Sequence, residues 1–294
     1  MREANLDGLG AAPRWIGMCL GAYSIADLLV LYFWSGAGQI FSMQASSDSI
    51  SALPVTAMAA VNLFLCLVVL RGFPAGAPLR PAWMLATGAA AAQAVPGVMA
   101  QVLETDSLRT PLLTASGPIR LALLALALLP VLRILRGFGF WVRPSATDWA
   151  VSGIVCLFAL CRFAEAGVAS PAAGQTGLQH WISLAGLPFL CVLVLEAMLL
   201  RQSVVRMGNG PISKCWAALM GGIFLTGLAE LAVWVVPHYS RVWPPALIEW
   251  LTRFPIAAVF ALAPAYQVAA QRRATKPAAS APEELAAGVP ALAR

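Results

Sequence analysis

The sequence predicts an all-α, polytopic membrane helical bundle of eight transmembrane helices, and three observations predict it. Of the 294 residues, 60% are hydrophobic and only 11% charged, whereas a soluble domain carries charge on about a quarter of its residues. Eight apolar runs, each close to the length that crosses about 30 Å of hydrocarbon, follow one another between polar, Gly or Pro punctuation. The ten tryptophans all fall near the ends of those runs, at the depth an amphipathic indole prefers. With a mean hydropathy of +0.78, no stretch longer than about twenty residues has the composition of a water-solvated domain. A separate nucleotide-binding, kinase or nucleic-acid-binding module is thereby excluded.

The runs are expected at 15–34, 52–70, 82–103, 118–135, 149–169, 181–200, 215–236 and 246–270. The first lies between Trp15 and Trp34 and is longer than the 7 to 15 apolar residues of a signal peptide, so it reads as a retained span. The second holds Pro54 and Asn62. Trp83, Gln93, Pro96 and Gln101 mark the third, and the fourth carries Pro130. Trp149 opens the fifth, Trp181 the sixth (with Pro188) and Trp216 the seventh, where Gly221, Gly222 and Gly227 permit close helix approach. The eighth contains Pro255 and Pro264. Internal prolines remove one backbone hydrogen bond each and predict kinks. Loops this short, without alternating β-branched residues, do not suggest a barrel.

Orientation follows from Lys and Arg. Fourteen of the nineteen lie on the side of the two termini, from Arg2 and Arg14 through Arg71, Arg201 and Lys214 to Arg272 and Arg273. The opposite side holds Arg109, Arg120 and Arg241, while Arg162 and Arg253 fall within runs. The positive-inside rule then puts both termini in the cytoplasm of a bacterial-type inner (plasma) membrane. This asymmetry accounts for the net charge of +6 without nucleic acid as a partner.

Comparing the halves gives a recurring offset: Trp15 to Trp149, Pro54 to Pro188 and Pro130 to Pro264 are each 134 residues apart, and Trp83 to Trp216 is 133. Internal duplication and regular helix spacing both produce such an offset. Duplication would divide the chain into a cytoplasmic tail (1–14), two parallel four-helix units (15–136 and 137–270) and a disordered, Ala/Pro-rich cytoplasmic tail (271–294). Two four-helix units side by side is also the plan of quinone-interacting membrane anchors, a likeness of architecture and not of residues.

Ionisable groups inside a span cost at least a few kcal/mol each and mark candidate sites. At 1.5 Å rise per residue, Asp27 lies roughly 12 Å below the outer surface, Arg162 and Glu165 roughly 10 and 6 Å, Glu230 roughly 8 Å, and Glu249 and Arg253 about 4 and 10 Å. These six residues form the candidate ligand-binding layer. Arg162 and Glu165 (i, i+3) and Glu249 and Arg253 (i, i+4) each lie on one helix face, so two self-contained ion pairs are the purely structural alternative. Glu230 and Asp27 lack a same-helix partner. Glu196, nearer the cytoplasmic side, is expected to snorkel or pair near Arg201 and is assigned no role.

No metal site is expected. The six cysteines form no C-x-x-C motif and read as small core residues, and His180 and His238 fit interfacial positions better than haem ligation. No catalytic residue is assigned, since H-E-x-x-H, G-x-S-x-G and Walker A motifs are all lacking in the sequence. The expected function is therefore binding of a small solute or ion at an outward-facing charged site, for sensing or transport. The alternative is a membrane anchor subunit of a redox complex, with a quinone as cofactor and a partner subunit outside the bilayer. A ligand-free scaffold, whose partner is the lipid bilayer alone, is the third reading.

Overall fold

Backbone groups within lipid must find their hydrogen bonds inside the chain, and this chain does so with helices. The computed structural model describes residues 10–36, 44–102, 106–137, 139, 142–168, 176–239 and 245–275, without the side chains of 27–36, 44–52, 101, 106–110, 166, 183, 234, 236–239 and 245–250. Among the described residues no strand occurs. The elements are α1 (Ala12–Gly36), α2 (Gln44–Arg71), α3 (Arg80–Val102), α4 (Asp106–Gly137), α5 (Ala146–Val168), α6 (Gly177–Leu184), α7 (Gly186–Arg206), α8 (Pro211–Tyr239) and α9 (Pro245–Thr275).

Among the described residues, six segments are long and apolar enough to cross a bilayer: Leu53–Arg71, Pro111–Gly137, Ala146–Glu165, Gly177–Arg206, Pro211–Val233 and Leu251–Ala274. The chain is a multi-pass helical membrane protein. The run expected at 15–34 corresponds to α1, whose side chains beyond Ala26 lie outside the described residues, and the run at 82–103 to α3, which is 23 residues long and not among the six. In α3 the reason is composition: its middle is Ala, Gly, Thr and Gln, a weakly apolar surface that buys close packing. Ala82, Ala89, Ala90 and Ala94 are all buried, and Gly97 lies so near Thr56 that a Cβ there would sit 3.2 Å from its Oγ1.

Two spans differ from their expected outlines. The fourth begins a dozen residues early, because Thr114, Ser116 and Gly117, which read as punctuation, are helical; Ser116 Oγ donates to the Leu113 carbonyl at 2.7 Å, satisfying itself within its own helix. The sixth is broken into α6 and α7 at Ala185. Pro188 has no N–H to offer the Leu184 carbonyl, so the α-helical ladder lapses there. Thr176 and Gln179 cap α6 reciprocally, with N–H to Oε1 at 2.9 Å and N–H to Oγ1 at 3.3 Å.

The helix contacts close into a cycle, α2 on α3, α3 on α4, α4 on α7, α7 on α8, α8 on α9 and α9 back on α2. Exchanging α2, α3 and α4 for α7, α8 and α9 maps every contact of this cycle onto another one. Residues related by the offset also correspond in environment: Asn62 and Glu196 are both buried polar groups, and the rings of Trp83 and Trp216, both buried, face each other with centroids 6.5 Å apart. The outer helices do not follow the exchange, since α1 packs on α9 whereas α5 packs on α7. Leucine and valine rows of α4 and α7, including Leu124, Leu128, Leu193 and Val194, fill much of the interior. Along α8 and α9 the approach is set by Gly222, where a Cβ would meet the Phe260 ring at 3.0 Å.

Candidate intramembrane binding site

A narrow cleft with a free volume of about 40 Å³ lies inside the helix cycle, with walls from α2, α3, α4, α8 and α9. Alanines of α3 and the rings of Trp83, Trp216 and Phe260 make it largely apolar. Its polar groups are few: Arg120, Asn62, Gln93 and the thiols of Cys66 and Cys215. Apolar walls with a small number of convergent polar groups are the usual lining of a small-molecule site, and a ligand larger than a water or two would enter this one by parting the side chains.

Arg120 dominates its electrostatics. It sits on α4 four residues from the middle of the Pro111–Gly137 span, about 6 Å off centre at 1.5 Å per residue. Its guanidinium carbon lies 5.8 Å from the centroid of the Phe260 ring, in cation–π range. The carboxylate of Glu230, on α8, is near enough to act on it electrostatically. Two buried donors on the cavity wall, Arg120 Nε and Trp83 Nε1, have no hydrogen-bond acceptor among the described residues. Asn62 is engaged, its Oδ1 accepting from the Cys66 thiol at 3.7 Å. The cavity therefore offers N–H donors and one fixed positive charge to whatever enters it, and donors of this kind cost free energy until an acceptor oxygen meets them.

The residues singled out by sequence are distributed differently. Arg162 and Glu165 do form the same-helix pair, Nη1 to Oε2 at 3.4 Å. They lie on α5, outside the helix cycle, and do not line the cavity. Glu230 and Arg253 are exposed at the side of the bundle, each engaged with other groups, and of the two it is Glu230 that couples to a cavity residue. Asp27 and Glu249 fall on α1 and α9, with their side chains outside the described residues. No group of three or more His, Cys, Asp or Glu arranged to hold a metal occurs among the described residues.

The sequence reading puts Arg120 at the outer end of the fourth run, because that run starts at residue 118. An earlier helix start, signalled by the apolar Pro111, Leu112 and Leu113, places it inside the bilayer. A second node escaped the sequence reading altogether. Asp148, whose side chain is fully covered, accepts from Ser145 N–H at 2.8 Å and Ser145 Oγ at 2.7 Å, while its own N–H donates to Ser145 Oγ at 3.2 Å. This is a capping box, legible as S-x-x-D at the start of the fifth run. From α7, Arg201 Nη1 and Gln202 Nε2 donate to the same carboxylate at 2.5 and 3.2 Å, clamping α5 to α7. Arg201 is thus unavailable to Glu196, which is buried with neither oxygen hydrogen-bonded among the described residues. Five residues apart, the two point about 140° away from each other round the helix. No protein-family model matches the chain, and no curated protein or solved structure matches it either.

Proposed function

We propose that the chain is a bacterial-type inner-membrane protein that binds a small ligand, with a largely apolar body and acceptor oxygens at its head, in the cavity beneath Arg120, for sensing or transport. The observation that carries this reading is the pair of buried donors, Arg120 Nε and Trp83 Nε1, on two residues that line the same apolar cleft, with no acceptor among the described residues. A carboxylate or phosphate head would complete both. The site is more apolar than the outer charged layer expected from the sequence, and it recruits Glu230 as the neighbour that tempers the Arg120 charge.

A quinone is the second reading, favoured by the Trp83 and Trp216 rings lying 6.5 Å apart on the cavity wall. The two rings are tilted by 41° to each other and give a quinone an apolar surface to rest against, while its carbonyl oxygens accept from a guanidinium and an indole N–H alike. Solvent extraction of the purified protein distinguishes the two: an acidic lipophilic molecule in near-stoichiometric amount supports the first, a quinone absorbance bleached by borohydride supports the second, and an extract holding only bulk lipid contradicts both.

The exchange of contacts between α2–α4 and α7–α9, with the 134-residue offset, supports an internal duplication with parallel units. Cytoplasmic termini rest on the distribution of Lys and Arg. A reporter active only outside the cytoplasm should stay silent when fused after Arg294 and give signal when inserted between Ser170 and Gln179; the opposite pattern would invert the orientation.

A further inference from the structure

A second pocket, of about 580 Å³, opens at the end of the bundle where α1 begins, α7 turns into α8 and α9 ends. It is independent of the cavity at Arg120. Three cations line it, Arg14, Lys214 and Arg273, together with Asn209 and Tyr266, and among the described residues no acidic one is in its lining. Gly208, at φ +73°, lets the chain reverse tightly between α7 and α8 and brings Asn209 to the rim.

Two of the cations, Arg14 and Lys214, sit against the dipoles of the helices that carry them, whereas Arg273 lies in the last turn of α9. Arg14 lies in the first turn of α1 and Lys214 in the first turn of α8, where the helix dipole already concentrates positive charge and the first N–H groups have no intrahelical acceptor. In α8 the i to i−4 ladder begins only with Lys214 N–H to the Gly210 carbonyl at 3.1 Å. Two helix N-termini and three cations therefore converge on one concave site, an arrangement that is unfavourable by itself and favourable around an anion. The neighbouring surface is apolar and lipid-facing: Trp15 is 63% exposed immediately beside Arg14, and Met18 and Ile212 are exposed nearby. An indole at this position prefers the headgroup level.

We propose that this pocket is a binding site for the phosphate of an anionic phospholipid, with Arg14, Lys214 and Arg273 holding the phosphate and the Trp15 side of α1 supporting an acyl chain. Basic pockets between spans on the positive side of a membrane protein suit such head groups. The shared chemistry is phosphate, and a free phosphate in the cytoplasm is the other source of it.

The test uses the full chain in detergent micelles mixed with phosphatidylglycerol and phosphatidylcholine, with bound lipid counted by native mass spectrometry. Wild type should retain phosphatidylglycerol in preference. The R14Q/K214Q/R273Q variant should lose that preference by on the order of 100-fold, and each single change by roughly fivefold. Arg133→Gln, which removes an exposed cation of α4 outside the pocket, should leave it intact, and R14K/R273K should keep it, which separates lost charge from a failure to fold. Equal phosphatidylglycerol retention by wild type and the triple variant would overturn the proposal, as would an equal loss in R133Q. If inorganic phosphate raises the melting temperature of the wild type but not of the triple variant while phosphatidylglycerol shows no preference, the site takes a soluble phosphate and the lipid assignment fails.

Discussion

Replacing Arg120 with methionine should abolish ligand retention while leaving the empty protein as stable as wild type or more so. Methionine keeps the length and the contact with Phe260 but removes the charge and the unsatisfied Nε donor. If that donor and charge hold the ligand's head, truncating them costs about 2 to 5 kcal/mol of binding, a loss of affinity of 30-fold or more. The free energy of the empty protein moves the other way, because taking a guanidinium into a low-dielectric interior is expensive and an apolar residue of similar volume relieves it. Glu230, exposed at the side of α8, is not stranded by the change. The checks are thermal unfolding in detergent and the amount of small molecule carried through purification. Unchanged retention of the co-purifying molecule in R120M would separate Arg120 from binding. A variant that melts far below wild type, from a wild type carrying no ligand, would make Arg120 a structural residue.

The Asp148 node should show the opposite behaviour, a loss of stability without a change in ligand. Asp148→Ala removes the reciprocal half of the α5 capping box, leaving Ser145 as N-cap, and with it every hydrogen bond that reaches the carboxylate from Ser145, Arg201 and Gln202. A cap alone is worth about 1 kcal/mol and a charge-assisted hydrogen bond about 1.5 to 3. The cover over Asp148 is thin, however, made by the partners themselves at the end of the bundle, and the Arg201 side chain is 48% exposed, so the ion pair is partly screened. A destabilisation of about 2 kcal/mol is therefore expected. Arg201→Gln should cost about half of that, since Asp148 keeps Ser145 and Gln202 and the freed end of α7 is already partly hydrated. Thermal unfolding of both variants checks the order, and a D148A protein indistinguishable from wild type would mean that α5 is held by its apolar face alone.

The bundle was legible because its signals repeat. Apolar length sets where a helix can cross, and the boundary tryptophans mark the same ends by independent physics. What could not be read was how deep each charge lies, since depth depends on where a helix starts. Beginning the fourth span at residue 118 put Arg120 at a surface, whereas the helix beginning at Asp106 carries it to within about 6 Å of the middle of the span. The Arg162 and Glu165 pair was visible from spacing alone, because i, i+3 neighbours are fixed by helix geometry. Which helix faces which is not fixed by spacing: Arg120 meets the charge of Glu230 across α4 and α8, 110 residues apart in the chain. The same limit hid the cavity. Its walls are alanines and aromatics that read as ordinary span residues until α2, α3, α4, α8 and α9 are brought round it. The cysteines illustrate the point, since Cys66 and Cys215 look like scattered core residues along the chain and stand on one cavity wall in space.

The most direct test of the central claim is a high-resolution experimental map of the protein purified in lipid nanodiscs. Non-protein density between Trp83, Trp216 and Phe260, with its nearest oxygen in hydrogen-bonding range of both Arg120 Nε and Trp83 Nε1, is the expected result. A cavity closed by its own side chains, with Arg120 turned out of it to pair with Glu230, would contradict the account and leave the helical scaffold as the reading in front.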